Sequence, residues 1–317
     1  MLRQFIYKPE HIGLIQWPSG ELRLEGIEIT DDPHSADIFV CPGNIRLFEA
    51  TAGTGILDHA RLYSLPYFAG NESRHVFFDC SDNFKAAIRL PILFLKCDAR
   101  TWMLPHDPGT IQIAWPVEDY AECMELPDRG FIHDISFHGW LSTDTRTASS
   151  NACLDNPKLK ADIAQYTDFF GYRKPEDPEY TRRRAAFRRS MRDSRLALCP
   201  ESIPGVLPYR FFEAMSAGRI PLLVSSDYVL PFATEIPYDD FIIRVESRDA
   251  SQADAAALAY LDGKADHELI DRGLEARHYW LKYLDARRWP EIMSYAVTKK
   301  LEARGEYEST SPQARAL

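Results

Sequence analysis

The sequence predicts an α/β protein of two domains, each built on a mainly parallel sheet. Three observations carry this reading. Short, continuously apolar runs alternate with helix-patterned segments. The alternation comes in two successive series. The chain has 317 residues, enough for two ordinary domains.

The first series comprises "ADIFVCPG" (36–43), "HVFFDC" (75–80), "PILFLKC" (91–97) and "IQIAWPV" (111–117). Strands covered on both faces read as unbroken apolar runs of this kind. Segments such as "GILDHARLY" have the spacing of helices between them. The second series opens at "DISFHGW" (134–140) and continues through "SRLALCP", "RIPLLV" and "DFIIRV" (240–245). After Ala250 the pattern is helical to about Arg304, and the tail "GEYESTSPQARAL" is polar. The expected division is an amino-terminal domain over 1–125, a second domain over 126–275, and helices with a tail over 276–317.

Composition excludes several classes. A net charge of −10 argues against general nucleic-acid binding. Six cysteines without a C-x-x-C pair fit reduced thiols better than a disulfide framework or a zinc site. The start "MLRQFIYKPEHIGLIQWPSG" lacks the apolar core of a signal peptide, and no run is long enough to span a membrane. If the chain is complete, a cytoplasmic protein is expected; a longer chain could carry an anchor. "NES" at Asn71 fits a glycosylation acceptor, a chance match in such a compartment. The dinucleotide fingerprint, the phosphate loop and the H-E-x-x-H zinc helix are all missing.

One strand–loop–helix unit stands out: "LALCPESIPGVLPYRFFEAMSAGRIPLLV". Pro208 suits the first turn of a helix and Gly218 the position just past its end, which predicts a helix over 209–217. Arg210 and Glu213 then share a face near the helix amino terminus, at the carboxyl end of a strand. Ligands of open α/β sheets bind at that edge. Unpaired helix N–H groups and an arginine suit phosphate, and a carboxylate one turn on suits ribose hydroxyls. The unit therefore predicts a nucleotide-diphosphate site. The plainer reading is an i,i+3 ion pair on an ordinary helix.

The stretch 194–241 resembles the exostosin family of glycosyltransferases. Arg210, Glu213, Ala214, Gly218, Ile220, Pro221, Leu230, Pro231 and Phe232 fall into step with that family's strand, Pro-rich loop, Arg…Glu-Ala, Gly-x-Ile-Pro and Leu-Pro-Phe pattern. Pro208 stands where the family has serine, and Arg219 where cysteine is common. The likeness extends weakly to "DDPHSADIFVCP", "NESRHVFFDCSD" and "ISFHGWLSTDTR", the last placing Arg146. It implies a GT-B fold: two Rossmann-like domains facing across a cleft, with carboxyl-terminal helices crossing back. It also implies an inverting transferase using a nucleotide-diphosphate sugar, a UDP-sugar being the expected donor, and a saccharide acceptor. No cofactor and no metal is expected, since no Asp-x-Asp pair lies near the site.

On that resemblance Arg210 and Arg146 would hold the diphosphate and Glu213 the ribose. Gly139, before Arg146, and Glu201, Ser202 and Gly205, in the loop after the strand, are further donor-site candidates. An inverting transferase needs a base for the acceptor hydroxyl. Asp82, His75 and Asp79, at or after the strand "HVFFDC", are the candidates, although such aspartates also commonly cap turns. His106 and Asp107 sit in a turn-like "MLPHDPG". The segment Arg182 to Arg195 is strongly basic. Arg184, Arg188 and Arg192 would line one helical face, with Phe187 and Met191 turned inward. Such a face is ordinarily solvated; the sharper reading is contact with an acidic glycan or a membrane surface. "WLKYLDARRWPEIMSY" reads as the packed core of closing helices. Two other classes stay open: a catalytically silent nucleotide- or glycan-binding partner of another transferase, and an epimerase or phosphorylase on the same fold.

Overall fold

The computed structural model describes residues 2–7, 23–50, 56–79, 89–125, 130–169 and 176–305. The chain forms two compact units. The first comprises Met1–Trp115, Val229–Pro231 and Tyr283–Leu317; the second comprises Pro116–Tyr228 and Phe232–Lys282. The division falls at Trp115, ahead of the expected residue 125, and the last helix belongs to the first unit.

The first unit contains β1 (Arg3–Ile6), β2 (Glu28–Ile29), β3 (Ile38–Asn44), α1 (His59–Tyr63), β4 (His75–Asp79), β5 (Leu93–Lys96) and β6 (Thr110–Gln112). The strands form one sheet in the order β2-β1-β3-β4-β5-β6. Every pairing is parallel. The apolar runs of the sequence become strands buried along their whole length, as in β4 and β5. Phe5, Tyr7, Phe39, Phe68 and Phe77 fill the core on one side.

The second unit contains β7 (His133–Trp140), α2 (Asp144–Asp155), β8 (Ala161–Tyr166), α3 (Pro178–Asp193), β9 (Ser194–Pro200), α4 (Tyr209–Ser216), β10 (Ile220–Val224), β11 (Ile243–Val245), α5 (Ala253–Leu261) and α6 (Asp266–Tyr279). The sheet order is β11-β10-β9-β7-β8, again all parallel. The core is aliphatic, from Leu196, Leu198, Ile220, Leu222 and Val224. A last helix, α7 (Trp289–Ala303), returns to the first unit, where Trp289 lies 5.5 Å from Phe78 between ring centroids. Two α/β units on parallel sheets are the class that the sequence predicted.

Two elements depart from the reading of the sequence. β8, "ADIAQY", is an edge strand that is only half-buried, so it lacks the apolar run that marks its neighbours. The helical stretch after Ala250 is not continuous. It is broken after Tyr279 by a wide turn over Trp280–Leu284 and a tight one over Ala286–Arg288.

In the second unit, successive strands leave β7 in opposite directions: β8 adds on one side and β9 on the other. The strand order therefore reverses between β7 and β9. In open α/β sheets the carboxyl edge at such a reversal is where a ligand crevice forms.

Candidate donor-binding site

Two loops flank that reversal. One runs from β7 into α2, the other from β9 into α4. Thr143 joins them: its hydroxyl caps α2 by accepting from Arg146 N and donates to the Glu201 carbonyl at 3.1 Å.

The loop after β9 is built around Glu201. Its buried carboxylate accepts from Gly205 N at 3.1 Å, Ser225 Oγ at 2.8 Å, Ser247 Oγ at 2.5 Å and Thr145 Oγ1 at 3.4 Å. Glu201 thus shapes the loop; its oxygens are already occupied by the protein. Gly205 takes φ +76°, a conformation that favours glycine, and Ser202 lies half-buried beside the turn. α4 begins at Tyr209, as predicted, with Pro208 as its N-cap rather than its first turn. Proline has no side-chain acceptor, so no side chain caps the first N–H groups of α4.

Arg210 does not pair with Glu213. Its Nη2 donates to the His138 carbonyl at 2.5 Å. Its guanidinium lies 4.8 Å from the ring centroids of both Phe137 and Phe187. Phe137 comes from β7 and Phe187 from α3, so two elements clamp one flat cation. Gly139 makes room for the clamp. A Cβ there would sit 2.8 Å from the edge of the Phe137 ring.

Arg146 donates through Nη1 to the Trp140 carbonyl at 3.0 Å, and its Nε is buried with no partner. Burial and then the charge of Arg210 push its pKa down to about 10. Burial likewise works against the charge of Arg210, with Glu213 the first group opposing that shift. Among the described residues no carboxylate comes within 4.0 Å of either guanidinium. Two like charges are thus held together, half-exposed, at the sheet edge where the strand order reverses.

Glu213 faces elsewhere. Its Oε1 accepts from Tyr120 OH at 3.0 Å and lies 3.8 Å from Arg184 Nη1. Burial, then the charge of Glu213, pushes the Tyr120 phenol well above its ordinary pKa, so it remains a donor. No local pattern marks Tyr120, Phe137 or Thr143 as neighbours of Arg210, Glu213 and Glu201. They matter only through contacts with residues far along the chain.

Arg219, which stands where the resembled family commonly has cysteine, is a structural clasp. It donates to the carbonyls of Met191, Ala217, Gly218, Arg192 and Cys123. The basic helix α3 turns Phe187 and Met191 inward, as its spacing predicted. Most of its arginines are matched within the unit. Arg184 and Arg188 meet Glu118 at 2.6 and 2.8 Å, Arg183 meets Asp168 and Glu179, and Arg192 meets Asp193. Just beyond the helix, Arg195 meets Asp134 and Asp266.

In the first unit, His75 is a core residue. It stacks on Phe39 at 4.7 Å, and its ring nitrogens meet Tyr7 OH at 2.9 Å and the Asn71 carbonyl at 2.7 Å. Burial pulls its pKa down to about 4. Asp79 is fully buried and paired with Lys96 at 3.1 Å. Asp82 lies outside the described residues. Asp107 serves a turn, accepting from Arg89 N at 2.5 Å, with His106 exposed beside it. Cys41, Cys97, Cys123, Cys153 and Cys199 are buried and unbridged. Among the described residues no helix is long and apolar enough to cross a membrane.

Residues 142–259 match the model of the Exostosin GT47 domain. That match covers a little over a third of the chain. The GT47 match includes Arg146, Glu201, Arg210 and Glu213, and excludes the whole of the first sheet. Among solved structures the chain is similar to a mutant of S. aureus TarM crystallised with fondaparinux, alpha-GlcNAc-glycerol and UDP. The identity is 10%, the TM-score 0.39, and the match covers 84% of this chain and 54% of TarM. The chain thus spans about half the length of TarM. It is also similar to AviGT4, a glycosyltransferase involved in avilamycin A biosynthesis, at 13% identity and TM-score 0.32, covering 92% of this chain and 98% of that one. No curated protein matches the chain.

Proposed function

We propose that the protein transfers a sugar from a nucleotide-diphosphate sugar, a UDP-sugar in the first instance, to a saccharide acceptor with inversion at the anomeric carbon. One observation carries the reading: Arg146 and Arg210 are both anchored on carbonyls at the end of β7, Trp140 and His138, and among the described residues no carboxylate lies within 4.0 Å of either, Glu213 acting on Arg210 only from further off. A partly desolvated pair of cations without a close counter-charge is costly unless an anion completes it. A diphosphate has the charge and the oxygen geometry for two guanidinium forks. The uncapped first turn of α4 adds N–H donors on the same side.

In the proposed reaction the acceptor hydroxyl gives its proton to a base and its oxygen attacks the anomeric carbon. The bond from that carbon to the diphosphate oxygen breaks, and the nucleoside diphosphate leaves with the electron pair. Arg146 and Arg210 stabilise the charge on the leaving group as it forms, without a metal. Glu213, held by Tyr120 and near Arg184, would accept from the ribose hydroxyls. Asp82 is the proposed base; His75 and Asp79 are buried and engaged by their neighbours.

The test is binding and product analysis. UDP should raise the melting temperature of the full chain, since a ligand that binds only the folded state stabilises it. A turnover product from an α-linked UDP-sugar should carry a β linkage by proton NMR. No melting shift with any nucleoside diphosphate would sink the donor assignment, and a retained configuration would sink the single displacement.

A further inference from the structure

One buried carboxylate braces the carboxyl edge of the second sheet. Glu201 follows β9 and is 3% exposed. The four donors to its side chain come from four places. Thr145 lies in the first turn of α2, after β7, and Gly205 in the loop after β9. Ser225 follows β10, and Ser247 lies two residues beyond β11. The main chain adds two ties: Glu201 N donates to the Val224 carbonyl, and the Glu201 carbonyl accepts from Thr143. The carboxyl ends of β7, β9, β10 and β11 thus meet on one residue, in a sheet whose remaining strand is the edge strand β8.

All four donors are neutral, and among the described residues no arginine or lysine lies within 4.0 Å of the carboxylate. A buried carboxylate without a cation is costly, and its hydrogen bonds are what hold it there. Buried charge is weak evidence for stability, so its presence calls for another reason. The two ends of the network supply one. Thr143 caps α2 by accepting from Arg146 N at 3.3 Å, and Thr145 immediately precedes Arg146. Gly205 lies in the turn that leads through Pro208 into α4 and Arg210. Each guanidinium has its own carbonyl on β7, but the backbones that carry them meet at Glu201.

We propose that Glu201 is a positioning residue that sets Arg146 and Arg210 relative to one another, acting through its hydrogen bonds and not through its charge. That the arginines then take a diphosphate rests on the function proposed above; the bracing itself does not. Hydrogen-bonding capacity separates the two variants that test it. A glutamine oxygen can accept from Gly205 N and Ser225, while its amide donates to the hydroxyls of Thr145 and Ser247, which rotate to accept. Alanine replaces none of the four bonds. The main-chain ties survive either substitution, so both variants should fold.

The arginine Nε–H signals of the nucleotide-free full chain would be recorded by NMR and assigned with Arg146→Lys and Arg210→Lys. In Glu201→Ala the signals of both arginines should shift; in Glu201→Gln both should lie near their wild-type positions. UDP and inorganic pyrophosphate would then be titrated by calorimetry, well below the melting temperature of each variant. Glu201→Ala should bind both probes roughly tenfold more weakly, as residues of one hydrogen-bond network do when it is cut, and Glu201→Gln should recover most of that loss. If Glu201→Ala does not fold, Thr145→Val cuts the arm to α2 alone and should move the Arg146 signal more than that of Arg210; no movement of the Arg146 signal overturns the proposal. So does Glu201→Ala with one or both signals unmoved, or Glu201→Gln behaving as Glu201→Ala. A loss confined to UDP, with pyrophosphate binding unchanged, overturns it as well and makes Glu201 a nucleoside contact. Signals that move as expected in a protein that binds neither probe leave the bracing standing and remove the donor-site reading.

Discussion

Arg146 and Arg210 donate to carbonyls two residues apart on β7, those of Trp140 and His138, and among the described residues no carboxylate lies within 4.0 Å of either guanidinium. Among the described residues their hydrogen bonds go to these carbonyls, and Phe137 and Phe187 flank Arg210 besides. Carbonyls fix direction without cancelling charge. If the pair is the proposed donor site, it should be a positive site kept open at the expense of stability.

That expense is measurable. Arg146→Met should raise the melting temperature of the nucleotide-free protein, because it removes a partly buried like charge and an orphan Nε. The same change should weaken UDP binding. A charge-assisted hydrogen bond contributes about 1.5–3 kcal/mol, so the loss should be roughly one to two decades. Arg210→Ala should show the same loss of affinity. Scanning calorimetry and titration of one sample would check both signs. A variant that is less stable without nucleotide would show that the pair is not strained.

Gly139 should prove to act through Arg210. Gly139→Ala places a methyl 2.8 Å from the Phe137 ring, and that ring is one wall of the arginine clamp. Overpacking of this kind costs about 1–3 kcal/mol of stability. The more telling expectation is non-additivity. Gly139→Ala should weaken UDP binding in the wild-type background and add little in Arg210→Ala, as coupled residues do in a double-mutant cycle. Equal losses in both backgrounds would separate Gly139 from Arg210.

The sequence exposes only part of the site. The strand–loop–helix unit was legible because Pro208, Arg210, Glu213 and Gly218 are local signals, and α4 begins at Tyr209 as they require. What local spacing could not supply is the partner of each charge. Arg210 and Glu213 share a helix turn, which suggests a pair. Phe137 and Phe187 draw one away, and Tyr120 and Arg184 hold the other. The basic run on α3 misleads for the same reason: its carboxylate partners, such as Glu118, lie in distant segments. Strands covered on both faces announced themselves as apolar runs, whereas the edge strand β8 did not.

His75 should make the first unit acid-sensitive. Its folded pKa is near 4, below the ordinary 6.5, because burial disfavours the charged ring. A histidine shifted down binds fewer protons in the folded than in the unfolded state. Stability therefore is fully present above about pH 6.5 and is lost as pH falls towards 4. The shift corresponds to roughly 3 kcal/mol at most. Asp98, shifted up to about 6, works in the opposite sense between pH 4 and 6, so total stability will not show the histidine cleanly. The difference between wild type and His75→Phe will. Urea unfolding should show that difference changing with pH across 4 to 6.5, in the sense that acid costs the wild type more. A difference flat across that range would mean that His75 titrates normally.

Turnover should survive excess chelator. In a metal-assisted transfer a divalent ion takes up the charge of the departing diphosphate. Here two permanently charged guanidinium groups stand at the proposed leaving-group site, their charge not spent on protein carboxylates. If they carry that role, kcat/KM in EDTA should stay within about twofold of its value in magnesium. The argument has a second edge. Arg210→Lys keeps one positive charge but loses the planar fork and its fit between Phe137 and Phe187. Turnover of this variant should fall by more than its UDP affinity does, because charge on the leaving oxygen is larger in the transition state than in the bound donor. Magnesium should not restore it. A complete loss of wild-type turnover in chelator, reversed by magnesium or manganese, would give the charge-stabilising role to a metal and reduce the arginines to donor binding.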